Sequence, residues 1–224
     1  MWITRRTDHL LVRTPAKVNV FLEVLGKRAD GFHELETLMV AIELTDSLRI
    51  RRQPNGPERT NLLCRWSPGL ARNQSPGELP EPERNLAYRA VERVRQAGKI
   101  RGEVFLELEK RIPSAAGLGG ASSDAAAALR GASIAGGQGV TQRELHTFGE
   151  ELGSDIPYFL ANPLSGRGLS PAVCRGRGEK VEPIAGLPPL HLVLIRPPRG
   201  LSTAEVYRHC RPADAPRSVE TVIH

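Results

Sequence analysis

Pro113-Ser114-Ala115-Ala116-Gly117-Leu118-Gly119-Gly120-Ala121-Ser122-Ser123-Asp124 runs straight into Ala125-Ala126-Ala127-Ala128-Leu129 and follows an alternating segment, residues 103–109. The order is strand, glycine-rich loop, helix start. A loop of this kind turns several backbone N–H groups toward one spot at the positive end of a helix dipole, which makes a site for phosphate. Glycines let the main chain approach an anion with no Cβ in the way, and Ser122 and Ser123 add hydroxyl donors or a metal contact. A tight turn leading into a closely packed helix would give the same local pattern. Two familiar phosphate loops do not fit: no Gly-Lys pair has the Gly-x4-Gly-Lys-Ser/Thr context, and a dinucleotide fingerprint wants a third Gly where Ser122 stands.

Composition sets the frame for this loop. The 224 residues carry 31 Lys and Arg against 25 Asp and Glu, a formal net charge of +6, with 40% apolar and only 4% aromatic residues. That is a globular composition for one large domain, or one domain and part of another, whose core leans on Leu, Val, Ile and Ala. The basic residues are scattered and not interleaved with aromatics, which points to a solvated surface or small polyanions rather than nucleic acid. Cys64, Cys174 and Cys210 form no Cys-x-x-Cys pair, and their number is odd, so free thiols in a reducing compartment are expected. The first residues lack the apolar core of a signal peptide, and no run approaches the roughly 20 apolar residues of a membrane span. The expectation is a cytoplasmic protein with no membrane partner.

Along the chain, residues 10–24 alternate so that Val18, Val20, Leu22 and Val24 share one face of a strand and Lys17, Asn19, Phe21 and Glu23 the other. The valine face is predicted to be buried, with Lys17 and Asn19 open to a ligand or to solvent. Asp30-Gly31 marks a tight turn. Phe32 and His33 at its edge combine a flat ring with a two-sided donor and acceptor, which suits a nucleobase; a Phe covering the sheet edge beside an exposed His suits the pattern as well. Residues 38–50 read as further strand, broken near Thr45-Asp46-Ser47, and the proline-rich stretch 53–84 as a long surface excursion. Asn85 caps a helix that ends at Gly98.

Thr141-Gln142-Arg143-Glu144 is a capping box for a helix with Leu145, Phe148 and Leu152 on one face and Gly153 as its stop. Pro157 is expected to push Ile156 out of the helical region, leaving Asp155 on a sharp exit turn. A carboxylate at the negative end of a helix is poorly placed for stability, which points to function or to an Asx-type turn. Residues 161–171 read as an inserted loop, Ala172-Val173-Cys174 as a strand, and Arg175-Gly176-Arg177-Gly178-Glu179 as strand and turn. Residues 190–195 read as an apolar strand broken by Pro197-Pro198, and Ser202-Thr203-Ala204-Glu205 caps a helix containing Val206 and Tyr207. Ser218-Val219-Glu220-Thr221-Val222-Ile223-His224 resembles the first turn of a longer helix, the mark of a truncated chain. The class is α+β.

Four separated stretches resemble one family. Pro15-Ala16-Lys17-Val18-Asn19, Arg28-Ala29-Asp30-Gly31-Phe32-His33, the loop 113–124 and Gly153-Ser154-Asp155-Ile156-Pro157-Tyr158-Phe159 are similar to the GHMP kinases. The loop is general to that family. The Ala-Asp-Gly-Phe-His and Gly-Ser-Asp-Ile-Pro segments are specific to members that act on diphosphocytidyl methylerythritol. The resemblance implies a GHMP kinase N-terminal domain (ribosomal protein S5 domain 2-like) over residues 1–186 and the start of a C-terminal domain over residues 187–224. It also implies transfer of the γ-phosphoryl of ATP, with Mg²⁺, to the 2-hydroxyl of that small molecule, a step in non-mevalonate isoprenoid precursor synthesis.

By the same resemblance Asp155 takes the substrate proton, and Lys17 lies beside it to orient the hydroxyl. Pro113, Ala115, Ala116, Gly117, Leu118, Gly119, Gly120, Ala121, Ser122 and Ser123 cradle ATP, with Ser123 the candidate metal ligand and Asn85 and Lys110 near the adenine. His33 bonds the cytosine, Phe32 and Tyr207 stack on its two sides, and Asn19 contacts the substrate. Two alternatives stay open: another GHMP small-molecule kinase, or a nucleotide-binding fragment without turnover. The second follows because full-length members continue through a second domain that carries a third glycine-rich motif.

Overall fold

The computed structural model describes residues 1–68, 77–137, 139–161, 169–185, 187–196 and 203–223. Pro197-Pro198, the Ser202 cap, residue 186 at the expected domain boundary, His224 and most of the 161–171 loop lie outside the described residues.

Two long strands form the spine. Strand β1 (Trp2–Arg5) lies on the edge beside β2 (Leu10–Lys27), which returns through the Asp30-Gly31 turn into β3 (His33–Gln53). The second half of β3 pairs antiparallel with β5 (Glu103–Lys110), whose other neighbour is the parallel strand β4 (Thr60–Trp66). The first half of β3 pairs with β6 (Ala172–Gly176), which carries β7 (Lys180–Pro183). The sheet therefore divides along β3.

Helices α1 (Leu86–Gln96), α2 (Gly120–Gly136), α3 (Gln142–Leu152) and α4 (Ile156–Leu160) complete the main core. Val12, Leu48, Ile50, Leu106 and Leu108 from the sheet meet Ala90, Val91 and Val94 of α1 and the alanines 125–128 of α2. Short side chains let α2 lie close to the strands, and it is apolar nearly all round because it is buried between the sheet and its neighbouring helices. Asn85 caps α1 by accepting from the Ala87 N–H at 2.9 Å, and the Thr141–Glu144 capping box is complete at α3. Two short helices, α5 (Thr203–His209) and α6 (Glu220–Ile223), follow; Val219 before α6 is buried against Leu38 and Val173.

Several expectations are corrected here. The stretch 53–84 is not wholly a surface excursion, because Thr60–Trp66 enters the sheet as β4; its short apolar run is hidden among prolines and charges. The segment around Asp46 does not break β3. It forms a bulge, with Pro15 opposite Thr45 and Ala16 opposite Ile42. Further register shifts on β2, between Asn19 and Phe21 and between Val24 and Gly26, overturn the simple alternation: Val20 and Leu22 are exposed and Lys17 is buried. Pro157 starts α4 rather than ending a helix, with Ile156 as the first helical residue. Helix α2 begins at Gly120, so the last residues of the glycine-rich stretch, Gly120 to Asp124, already belong to the helix. Residues 190–195 are in no strand; Val193 and Ile195 are 89% and 88% exposed.

The approach of α2 to β3 is closest at Gly131, where an added Cβ would run into the buried Ile50 side chain. Gly131→Ala is expected to lower stability by about 1–3 kcal/mol through overpacking, read as a lower urea midpoint with unchanged slope.

Candidate active site

The glycine loop crosses from the end of β5 to the start of α2. Its backbone turns through Gly117 (φ 71°) and Gly119 (φ 68°), and Ala115 also has positive φ (52°), a strained conformation for a residue with a Cβ. Leu118 O accepts from the Lys17 N–H at 2.9 Å, which ties the loop to β2. Glycine at 119 is needed twice over: its φ is left-handed, and a Cβ there would lie 3.0 Å from Lys17 Cγ. The first α2 hydrogen bond runs from the Ser123 N–H to Gly119 O (2.8 Å), so the N–H groups of Gly120, Ala121 and Ser122 precede the helical ladder. They sit at the positive end of a 17-residue helix with no acidic residue in its first turn.

This loop forms one wall of a cavity of about 1110 Å³. Ligand pockets usually fall near 300–1,000 Å³, so the space suits two sizeable ligands meeting end to end. Of the residues singled out in the sequence, Lys17, Asn19, Phe32, His33, Asn85, Lys110, Pro113, the run 115–122, Asp155 and Tyr207 all line it.

At its centre Lys17 Nζ stands 3.4 Å from Asp155 Oδ2 and 3.1 Å from Asn19 Oδ1. Lys17 is 4% exposed, yet it lines the cavity: Lys17 and Asn19 share one face of β2 by alternation, and the register shift after Asn19 puts Leu22 on the cavity side with them. Asp155 lies between the end of α3 and the start of α4. Its carboxylate makes no capping hydrogen bond, and 30% of the side chain is exposed, so it is open to a ligand.

At one end of the cavity Phe32 is half-exposed at the hairpin tip, where its N–H donates to Asp30 Oδ1 at 3.1 Å. Tyr207 of α5 stacks on His33, with ring centres 5.2 Å apart and planes at 21°. The two aromatics expected to enclose a base are therefore not opposed: Tyr207 rests on His33, and the Arg177 guanidinium lies over the Phe32 ring at 4.7 Å. The sequence places Arg177 in a turn and gives it no part in the site; its position between two glycines is the signal that could have found it.

At the opposite end a buried ionic cluster stands behind the loop. Lys110 Nζ donates to Asp46 Oδ2 and, at 2.5 Å, to Asp124 Oδ2. Asp46 Oδ1 also accepts the N–H groups of Arg111 (2.5 Å) and Ile112 (2.9 Å). Burial alone would depress the Lys110 pKa, but the charges of Asp124 and Asp46 outweigh it and hold the ammonium above its usual range. For Asp124 burial dominates; against the pull of Lys110, and with Asp46 adding repulsion, its pKa is pushed up to about 7. Asp124 Oδ1 is buried and has no hydrogen-bond partner.

One expected role changes in this light. The Lys110 ammonium is engaged by two carboxylates, and the residue still lines the cavity. Ser123 is fully buried; its hydroxyl donates to Pro15 O at 2.6 Å and meets the Thr14 hydroxyl, and it does not line the cavity. Helical rotation turns it toward β2, and Ser122 is the loop serine that faces the cavity. Among the described residues no group of three or more His, Cys, Asp or Glu could hold a metal ion, and no helix is long and apolar enough to cross a membrane.

The class follows from known proteins. Residues 85–162 match the family model of the GHMP kinases N terminal domain. A homoserine kinase from Cytophaga hutchinsonii, at 16% identity and a TM-score of 0.52 over 82% of this chain and 53% of its own, shares the fold. More specifically, a crystal structure of 4-(cytidine 5'-diphospho)-2C-methyl-D-erythritol kinase aligns at 34% identity and a TM-score of 0.69, covering 95% of this chain and 69% of that one. The 4-diphosphocytidyl-2-C-methyl-D-erythritol kinase of Pelotomaculum thermopropionicum is 42% identical over 205 residues, and that of Rhodopirellula baltica 39% over 224. The chain belongs to this kinase family, and it spans 65% and 66% of the length of these two relatives.

The ionic cluster makes a two-part prediction. Lys110→Met strands two buried carboxylates and is expected to cost about 3–5 kcal/mol. Asp124→Asn keeps a neutral Lys110–Asp46 pair. Because the native pKa of Asp124 is raised above its ordinary value of 3.8, its favourable contribution is full below that value and is lost as pH climbs toward about 7. Denaturant titrations at about pH 5 and about pH 8 should therefore show Asp124→Asn gaining stability relative to wild type at the higher pH.

Proposed function

We propose that this chain carries the phosphoryl-transfer site of a kinase that moves the γ-phosphoryl of ATP to the 2-hydroxyl of diphosphocytidyl methylerythritol, a step toward isoprenoid precursors. The observation that carries this reading is the Lys17–Asp155 pair, 3.4 Å apart beside the glycine loop, in one cavity whose far end holds Phe32, His33 and Tyr207. In this reading residues 1–186 form the ATP-binding domain, and residues 187–224 open a second domain that contributes Tyr207.

The step needs an anion cradle, charge neutralisation and an orienting base. The N–H groups of Gly120, Ala121 and Ser122 receive the phosphates at the helix end. Lys17 balances charge at the reacting centre and holds the acceptor hydroxyl against Asp155. That carboxylate accepts the hydroxyl proton as the oxygen attacks the γ-phosphorus and the bond to ADP breaks. Mg²⁺ would be held chiefly by the phosphates with help from the Ser122 hydroxyl, which suits a hard ion that needs few protein ligands; it would supply charge neutralisation on the transferring group.

His33 is a two-sided hydrogen-bonding group for a cytosine edge, and Phe32 and Tyr207 offer flat apolar surface to its faces. Asn85 lines the cavity while its oxygen caps α1, and in this reading it stands beside the adenine. Three free cysteines fit a reducing compartment, and we assign the reaction to the cytoplasm.

Phosphate transfer from ATP to the diphosphocytidyl substrate, followed by phosphorus NMR, is the direct test. Asp155→Asn is expected to lower kcat by about 10²-fold or more; unchanged turnover would remove Asp155 from its role. His33→Ala should raise KM for the acceptor with a smaller effect on kcat. An unchanged KM would point to a GHMP kinase with a different acceptor.

A further inference from the structure

The turn between β6 and β7, Gly176-Arg177-Gly178-Glu179, has no part in the mechanism above. Its path is set by Gly176 (φ 74°) and Gly178 (φ 113°), and Glu179 Oε2 accepts the Arg177 N–H at 2.6 Å. Those restraints leave the Arg177 side chain lining the cavity, half-buried. Its guanidinium covers the Phe32 ring at 4.7 Å. The next residue, Gly178, stands close enough to the acid that a Cβ there would be 3.7 Å from Asp155 Oδ1. Arg177 thus lies between the aromatic end of the cavity and the acid. A ligand that joins a base at His33 to a hydroxyl at Asp155 must pass it.

The charge is also available. Lys17 is engaged by Asp155, and Arg28 by Asp30 and Glu34. Arg177 forms no ion pair among the described residues; its field reaches Asp30, and its one polar side-chain contact is a long one of 3.5 Å to Glu150 O. A partly desolvated cation without a counter-charge favours an anionic ligand. A guanidinium can stack on a ring with its face while its edge donates two parallel hydrogen bonds to phosphate oxygens.

We infer that Arg177 anchors the diphosphate linker of the acceptor, held over Phe32 so that its edge faces the path from base to acid. The inference rests on the base-binding reading of the previous subsection. In binding terms Arg177 fixes the span between cytosine and hydroxyl, and it sets a preference for acceptors with a diphosphate at that distance.

Calorimetric titration of the chain, with the ATP site filled by a non-hydrolysable ATP analogue, compares cytidine diphosphate with cytidine. Arg177→Gln is expected to weaken cytidine diphosphate binding about 10-fold or more and to leave cytidine binding unchanged, which also reports that the pocket is folded. Arg177→Lys should recover part of the loss, since it keeps the charge but not the planar fork. Equal weakening of both ligands, or tighter cytidine binding in Arg177→Gln, overturns the inference. His33→Ala separates it from the reading beneath it. Cytidine affinity untouched by His33→Ala overturns the base assignment and this inference together. Weakening by His33→Ala with cytidine diphosphate affinity untouched by Arg177→Gln overturns this inference alone.

Discussion

The buried cluster of Lys110 with Asp46 and Asp124 is the constraint on which the site depends. Lys110 is the last residue of β5, and Asp124 is the fifth residue of α2, just past its first turn, so one ammonium ties together the two ends of the glycine loop. Asp46 joins them to β3 and takes the N–H groups of Arg111 and Ile112, which would otherwise be left unpaired where the strand stops. A loop that must keep its own N–H groups free for an anion cannot use them to hold itself in place, so the restraint comes from outside. Two carboxylates around one cation leave an excess negative charge in the interior. That excess is expensive; burial first, and then repulsion from Asp46, raise the pKa of Asp124.

A second restraint comes from β2. Its bulges convert a strand that would present a continuous apolar face into one that buries Val12 and Ala16 in the core and then turns Lys17, Asn19 and Leu22 toward the cavity. The same strand carries the backbone N–H that fixes Leu118. Lys17 is therefore positioned by the element that positions the loop, and the distance from cradle to ammonium is set by β2.

Much of this was legible in the sequence, and the failures have physical causes. Caps are local chemistry, so Asn85 and the Thr141–Glu144 box were readable from a few residues. Bulges are long-range pairing events, so the alternation from Val18 to Val24 gave the strand and the wrong buried face. Asp46 interrupted an apolar run and so read as a break; only the partner Lys110, 64 positions away, makes a carboxylate tolerable inside a strand. Helix rotation decides between Ser122 and Ser123, and the early start of α2 at Gly120 sends the second hydroxyl to Pro15. Pro157 carried two opposite signals, and the position it occupies at the start of α4 depends on packing that Ile156 and Leu160 find in the core.

The two ends of the cavity are built differently, and this bears on how such a site can change acceptor. The phosphate end rests on β2, β5 and the N-terminus of a long buried helix, parts that cannot shift without disturbing the core. The base end rests on a hairpin tip at Phe32 and His33, a two-strand turn at Arg177 and a seven-residue helix at Tyr207. None of these four residues falls within the segment 85–162 common to the wider family, whereas the loop and Asp155 both do. Surface turns can be exchanged at little cost to folding, so under the proposed function recognition of the acceptor is free to vary while phosphoryl transfer is held fixed. The stacked pair of Tyr207 on His33 belongs to the exchangeable end, on a short helix and a hairpin tip, whereas Lys17 and Asp155 are paired beside the loop on elements packed into the core.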